Sequence, residues 1–467
     1  MIKTRFRNLL LILIGASGCY LFSLGTSGCA QIGTPTGGPR DTIPPVLLNA
    51  TPPNRTLNFK ANKVVFTFDE YVHLQGMQDQ LLVSPNPKTI PNITSKLKTV
   101  TIKIRDTLEP NTTYRYDFGN AIQDIDENNP LRNFSYIFST GRYIDSLEFS
   151  GKVSVAETGK TDSTLLVMLY RDLDDSAVLK HKPRYLTRLN GKGEFTFYNL
   201  APGTYHVYAL DDQSGQRVYS NPDEMFAFLD STVTVSLHTA PVTLWAYQET
   251  KPKPRQAAAT PETGKEKVLK YYTSLTSARQ DLLTPMTLGF KNRLKDFDSA
   301  AIQLTDTLFH PIPHTQITLD STGKQITIAH AWTAGSYYRL VIQKNFAKDS
   351  LGLSLLKSDT LKFRARSESD YGSITLTFKN LEKVKKPVLQ FVANDQVVKS
   401  YPITSHSWSI KLFEPGDYEI RILDDRNGNG IWDPGNYHLK LQPERVISLP
   451  KKLNIRADWE NESDIIL

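Results

Sequence analysis

Ala201-Pro202-Gly203-Thr204-Tyr205-His206-Val207-Tyr208-Ala209-Leu210-Asp211-Asp212 recurs further along the chain as Glu414-Pro415-Gly416-Asp417-Tyr418-Glu419-Ile420-Arg421-Ile422-Leu423-Asp424-Asp425. Both copies run Pro-Gly-x-Tyr, then an alternating stretch, then Leu-Asp-Asp. Alternation with period two marks a half-buried β-strand, and a Pro-Gly pair marks the turn that feeds it. A second, weaker match sets Pro110-Asn111-Thr112-Thr113-Tyr114-Arg115 against Ala334-Gly335-Ser336-Tyr337-Tyr338-Arg339. The offsets, 213 and 224 residues, differ because the linker and loops vary. The chain therefore reads as A-B-A′-B′, four β-modules of about 95 residues each, the size of sandwich domains.

The rest of the chain agrees with an all-β class. Lys63-Val64-Val65-Phe66-Thr67-Phe68, Val100-Thr101-Ile102-Lys103-Ile104 and Thr113-Tyr114-Arg115-Tyr116-Asp117-Phe118 alternate between Pro, Asn, Asp and Gly punctuation. Such runs are half-buried antiparallel strands. Aromatics at 10% and abundant Val, Ile, Thr and Tyr favour strands. The best helical candidate is Lys265 to Leu283, which follows the Pro/Ala/Thr-rich stretch Lys251 to Glu266. The expected modules are 47–142 (A), 146–247 (B), 271–367 (A′) and 371–461 (B′), with a linker over 248–270.

The N-terminus is laid out as a secretory leader. Lys3, Arg5 and Arg7 precede the apolar run Leu9 to Ile14, and small residues lead to Cys29. A cysteine at the cleavage position points to lipoprotein processing, so residues 1–28 read as a lipoprotein signal peptide and Cys29 as the acylated residue. Thr26 stands three residues before it, where Leu is usual. Cys19 is a rival, but it would leave Tyr20-Leu21-Phe22 exposed on the mature chain. The apolar run is too short to span a bilayer. Residues 29–46, rich in Pro and Gly, form neither helix nor packed strand and read as a tether reaching about 50 Å. Removing residues 1–28 from the 467 leaves 439 and reduces the net charge from +7 to +4. That spread-out charge gives no reason to expect nucleic acid.

Two sets of residues resemble known families. Cys29 to Pro45, followed by Val65-Phe66-Thr67-Phe68-Asp69-Glu70-Tyr71-Val72, resembles outer-membrane lipoproteins of Bacteroidota that carry an SbsA-type bacterial Ig-like domain. Leu108-Glu109-Pro110-Asn111-Thr112-Thr113-Tyr114 matches that domain's Leu-x-Pro-x-Thr-x-Tyr strand. Module A′ departs from the pattern, with Gly289-Phe290-Lys291-Asn292 where Phe-Asp-Glu would stand. The B modules resemble prealbumin-like or Cna-B-like sandwiches through Asn199-Leu200-Ala201-Pro202-Gly203-Thr204-Tyr205. The resemblance implies tandem Ig-like and prealbumin-like β-sandwiches, a lipid-anchored place at the outer membrane and an envelope protein as partner. It specifies fold better than function, because such modules host many roles.

The sharpest chemical candidate is Asp425-Arg426-Asn427-Gly428-Asn429-Gly430-Ile431-Trp432-Asp433. Asp425, Asn427 and Asn429 fall at positions 1, 3 and 5 of an EF-hand-type calcium loop. Gly430 falls at the sharp turn, the Ile431 carbonyl at position 7 and Asp433 at position 9. Position 12 is Asn436 rather than Glu, and module B keeps only Asp212-Gln213-Ser214-Gly215-Gln216. The other reading is a hairpin whose Asn-Gly pairs supply φ > 0. Calcium would be an addition to the fold; no cofactor is required.

Other constellations are weak. Asp69-Glu70 at a strand end reads as solvent-facing, with Phe66 and Phe68 inward. His310 and His314 lie in a Pro-containing strand region, unsuited to a helical metal pair. No His-Glu-x-x-His, Gly-x-Ser-x-Gly or P-loop occurs. Asp followed by Ser or Thr recurs at Asp41, Asp106, Asp145, Asp162, Asp175, Asp230, Asp298, Asp306, Asp320, Asp349 and Asp359. It resembles an O-glycosylation acceptor of Bacteroidota and is equally an ordinary turn dipeptide. The leading expectation is a non-catalytic envelope lipoprotein that binds proteins or scaffolds a complex. The alternative is a glycan-binding surface lipoprotein, for which Trp245, Trp332, Trp408, Trp432 and Trp459 are too dispersed to show a platform.

Overall fold

The computed structural model describes residues 40–250 and 268–467. The expected leader, Cys29, the expected tether up to residue 39 and residues 251–267 of the expected linker lie outside the described residues. The fold is all β. Its described α-helices are the single turns Met77–Gln80 and Ala177–Lys180. The chain divides into two compact units: one holds most of residues up to 140, the other residues 141–467 together with the short pieces 83–86 and 111–114.

In the first unit, strands Leu47–Thr51, Lys63–Phe68, Thr99–Lys103 and Asn92–Lys96 form one antiparallel sheet in that order. Alternation along Lys63–Phe68 sends Val64, Phe66 and Phe68 fully inward. Phe66 meets Phe118, Phe134 and Tyr136 edge-on at ring separations of 5.8, 5.3 and 5.2 Å. Such aromatic contacts add about 0.5–1.5 kcal/mol each beyond the area they bury.

In the second unit, Tyr271–Thr273, Met286–Phe290, Gln325–Ala329 and Gln316–Leu319 repeat that strand order. The helix expected over Lys265 to Leu283 is therefore not formed in its described part. Tyr271–Thr273 pairs with Met286–Phe290 instead, and Arg279–Gln280 pairs with Asp359–Ala365. The physical reason is local. Ser277 and Ala278 sit at φ 51° and 56°, a conformation that ends any right-handed helix. Pro285 pushes Thr284 toward extended backbone, and the Tyr271 hydroxyl is committed to Asp359 at 2.5 Å.

The two B-type modules match strand for strand. In the first, Glu194–Leu200, Leu147–Val155 and Val242–Ala246 form a three-stranded sheet whose last pair is parallel. Facing it, Tyr185–Arg188, Leu166–Tyr170, Gly203–Leu210 and Phe226–Phe228 lie side by side, with Val233–Val235 also on Gly203–Leu210. In the second, Ser407–Phe413, Gly372–Lys379 and Glu460–Ile466 correspond to the first sheet. Gln396–Pro402, Pro387–Ala393, Gly416–Asp424, Arg445–Ser448 and Leu453–Ile455 correspond to the second.

The Pro-Gly-x-Tyr signature has a mechanical explanation. The Tyr205 hydroxyl donates to the Ala201 carbonyl at 2.9 Å, and the Tyr418 hydroxyl to the Glu414 carbonyl at 3.0 Å. Each tyrosine folds back over its own glycine and closes the corner that starts the central strand, as tyrosine corners do in sandwich domains. A Cβ on Gly416 would stand 3.3 Å from that ring, tighter than an ordinary contact.

Candidate functional site

The strand Gly416–Asp424 runs into the segment 425–444, which returns as Arg445–Ser448. Its first half holds the candidate calcium ligands. Asp425 is buried, and its two carboxylate oxygens accept from the Gly428 and Gly430 amides at 2.6 and 2.7 Å. Gly428 and Gly430 adopt φ of 83° and 77°, which glycine alone takes without strain. Asn427 and Asn429 both donate through Nδ2 to Asp433 Oδ2, at 2.6 and 2.8 Å. Ile431 donates its amide to Asn429 Oδ1 at 2.7 Å, and its side chain is exposed. The structure thus gathers Asp425, Asn427, Asn429, Ile431 and Asp433 into one loop whose hydrogen bonds close among themselves. Among the described residues, no group of three or more His, Cys, Asp or Glu is placed to hold a metal ion.

Glu444 was not legible as part of this loop. It is buried and accepts from the Arg426 amide at 2.7 Å through one oxygen and from the Asp433 amide at 3.2 Å through the other. It straps the two ends of the loop together from a position the spacing of a calcium motif does not reach. Trp432 adds a bond from its indole N–H to the Glu444 carbonyl at 2.8 Å.

The second half of the segment docks B′ onto B. Tyr437 is buried and enters a ring of aromatics on module B: Tyr208, Tyr219, Phe226 and Phe228 lie 5.2–6.3 Å from it, all edge-on. Its hydroxyl donates to the Asp175 carbonyl at 2.7 Å, which leaves Tyr208 to donate to the Tyr437 oxygen at 2.9 Å. Burial holds the Tyr208 hydroxyl far above the ordinary tyrosine range, so it remains a donor at any physiological pH. The Tyr437 amide and the Asn436 side chain both donate to the Glu249 carboxylate, at 3.0 and 3.2 Å. Gln442 donates to the Phe228 carbonyl and to Asp230, and Lys440 pairs with Asp175 at 2.9 Å. The Val446 amide donates to the Ala156 carbonyl at 2.9 Å. On the surface, Lys160 of B bridges Asp395 and Glu419 of B′ at 2.9 and 3.3 Å. Asn436, which stands where a calcium loop would carry its bidentate Glu, thus reaches Glu249, just beyond the last strand of module B.

The Ig-like module A has an acidic corner. Asp124 is buried and accepts from the Glu127, Asn128 and Asn129 amides at 2.7–3.0 Å. Burial raises its carboxyl pKa, but those donors outweigh it and the net shift is downward. Glu70 beside it is shifted up, by desolvation first and then by the charges of Asp124, Asp69, Asp41 and Asp126. Phe66 and Phe68 do face inward as expected, while Asp69 is exposed and accepts from the Val46 amide at 2.8 Å. In A′ the equivalent buried acid, Asp349, receives Asn292 Nδ2 at 2.9 Å, so a neutral donor stands where A has a second carboxylate.

The Asp-Ser and Asp-Thr dipeptides are built into turns. At Asp41, Asp162, Asp298, Asp306 and Asp349 the carboxylate accepts from the amide two residues ahead. His310 and His314 do not form a metal pair: His310 Nδ1 is bonded to Asp306 at 3.0 Å, and His314 lines a cleft with His330.

Residues 41–140 match the model of the bacterial Ig-like domain, the likeness expected from the Phe-x-Phe-Asp-Glu strand. No curated protein matches the chain. Among solved structures, the major pilin subunit BcpA of Bacillus cereus is 9% identical, covers 68% of this chain and 99% of its own, with a TM-score of 0.18. The S-layer protein rSbsC is 9% identical over 89% of this chain and 68% of its own, with a TM-score of 0.16. Native alpha-2-macroglobulin from Escherichia coli is 14% identical over 68% and 96%, with a TM-score of 0.15. These likenesses are too slight to bear on how the modules are arranged.

Proposed function

We propose that the protein is a lipid-anchored, non-catalytic component of the outer membrane, in which the β-modules hold a protein-binding surface in fixed geometry. It belongs with the Bacteroidota lipoproteins that its N-terminus and SbsA-type strand resemble, and its partner is another envelope protein. The observation that carries the reading is the docking of B′ on B through Tyr437. A duplicated module that locks onto its copy makes a stiff scaffold rather than a string of independent beads, and stiffness lowers the entropic cost of presenting a binding surface. The Ig-like module at 41–140 is a structural fold in keeping with this role. Among the described residues no helix is long and apolar enough to cross a membrane.

The test is fractionation and crosslinking of the full-length protein in cells. The parent should sediment with the outer membrane and crosslink to a defined envelope protein, and Cys29→Ala should stall or release it. Equal membrane retention by Cys29→Ala together with loss by Cys19→Ala would move the lipid to the other cysteine. Retention by both variants would sink the anchor.

A further inference from the structure

Module A′ carries a cleft of about 670 Å³ that nothing in the scaffold reading uses. That volume lies within the range of small-molecule sites. One wall is the segment around Asp306 and Thr307 with His314; the other is His330 to Tyr338. We propose that this cleft binds a short, neutral oligosaccharide.

The walls are preorganised. Asp306 accepts from the Leu308 and His310 amides at 2.8 and 2.9 Å and from His310 Nδ1 at 3.0 Å. The floor is equally fixed. The Tyr338 hydroxyl accepts from the Thr333 amide at 3.0 Å, and its ring lies against Phe363 and edge-on to Trp332. A site that is set before its ligand arrives loses less entropy on binding.

The chemistry of the lining selects a polyol by elimination. Asp306 is the only acid or base of fixed charge in the lining, and its carboxylate is engaged by three donors, so it is a poor cation site. The nearby guanidinium groups are held on rings: Arg339 lies 4.3 Å over Phe309, and Arg364 lies 5.3 Å over Tyr337. No cation is therefore presented to an anion from the lining. What is presented is hydroxyl chemistry from Thr307, Thr333 and Ser336, together with two imidazoles.

His330 makes this specific. Its Nδ1 is buried without a hydrogen-bond partner, while its ring is edge-on to Trp332 at 5.3 Å and to Tyr338 at 5.8 Å. The tautomer with hydrogen on Nδ1 leaves Nε2 as an acceptor for a ligand hydroxyl. Tyr337, 62% exposed, has one face covered by Arg364 and offers the other as an apolar platform for a sugar ring.

Titration calorimetry and saturation-transfer NMR of the full mature chain with cellobiose, maltose and chitobiose, each at millimolar concentration, test the proposal. At least one disaccharide should bind. Tyr337→Ala and His330→Phe should each weaken it by about five- to fifty-fold, the effect of losing one ligand contact in a site. Tyr337 is exposed, so its variant should melt at the parent's temperature and report on binding alone. Absence of binding by all three sugars overturns the proposal, and so does binding that Tyr337→Ala leaves unchanged. Capture of a peptide in the cleft with no response to any sugar assigns the cleft to the scaffold function instead.

Discussion

Modules B and B′ share a corner, a strand order and a Leu-Asp-Asp ending, yet they part company one residue later. In B, the segment 211–225 turns on Asp212, which accepts from Ser214 Oγ at 3.2 Å and from the Arg217 amide at 3.0 Å, and it contributes Tyr219 to the aromatic ring that receives B′. In B′, the segment 425–444 is longer, is strapped by buried Glu444, and lodges Tyr437 in the aromatic ring of B. The scaffold is repeated because the tyrosine corner and the alternating core tolerate wide sequence change. The loop diverges because loops carry new function at little cost to the sheet. The two modules share one scaffold, and the longer loop of B′ makes them unequal partners.

The largest way to break this asymmetry is Tyr437→Ala. The substitution empties a fully enclosed aromatic site and leaves Tyr208 without its acceptor. Removal of a large buried aromatic costs about 3–5 kcal/mol. Calorimetry of the mature chain should show B and B′ unfolding as separate transitions where the parent shows one. A single, unshifted transition would mean that the docking contributes nothing to stability.

A smaller effect is expected at Gly435. A Cβ there would meet the Tyr247 ring at 2.7 Å and the Leu441 carbonyl at 2.8 Å. Gly435→Ala must therefore move the docking loop or the ring, costing about 1–3 kcal/mol. The matched control is Gly215→Ala in the shorter loop of B, where a Cβ meets nothing within 4 Å and only the φ of 70° opposes it. That backbone term alone costs about 1 kcal/mol. Equal melting temperatures for the two variants would show that the loop yields freely, and the close approach of Gly435 would lose its meaning.

Much of this architecture was readable from particular residues. The two Pro-Gly-x-Tyr copies marked the turn and the strand it feeds, though not the hydroxyl bond that closes the corner, and alternation in Lys63-Val64-Val65-Phe66-Thr67-Phe68 marked the buried face. The helix over Lys265 to Leu283 was misread because composition after a linker carries no information about φ, and Ser277 and Ala278 take left-handed backbone. The docking loop was partly visible: Asp425 to Asp433 advertised a turn through its Asn-Gly pairs. Tyr437 showed only as an aromatic residue in a polar loop, and Glu444 left no local signal, because its partners Arg426 and Asp433 are set by folding rather than spacing. The cleft of A′ was hidden for the same reason. Asp306 and His330 are 24 residues apart in sequence and meet only across two strand ends.

The smallest expected effect is that of calcium on the longer loop. The spacing of Asp425, Asn427, Asn429 and Asp433 suits a calcium ion, but each of these side chains is already occupied. Asp425 holds two amides, and Asn427 and Asn429 point nitrogen, not oxygen, at Asp433. Binding would require both carboxamides to turn over, and Asn436, committed to Glu249, cannot serve as the missing bidentate ligand. We therefore propose weak affinity, in the range of about 10⁻⁴–10⁻³ M seen for extracellular modules. At millimolar calcium, ligand is at about one to ten times Kd, and binding to the folded state alone adds about 0.4–1.4 kcal/mol. For a cooperative unit made of B and B′ together, about 200 residues, that is a rise of a few degrees at most in their shared transition. Asp433→Asn keeps an acceptor oxygen for Asn427 and Asn429 while removing the charge that a cation needs, so it should abolish the rise and leave the chelator-treated melting temperature nearly unchanged. A parent protein that melts identically in calcium and in chelator would reduce the loop to a turn, with Gly428 and Gly430 retained for their backbone geometry and Asp425 for the amides it caps.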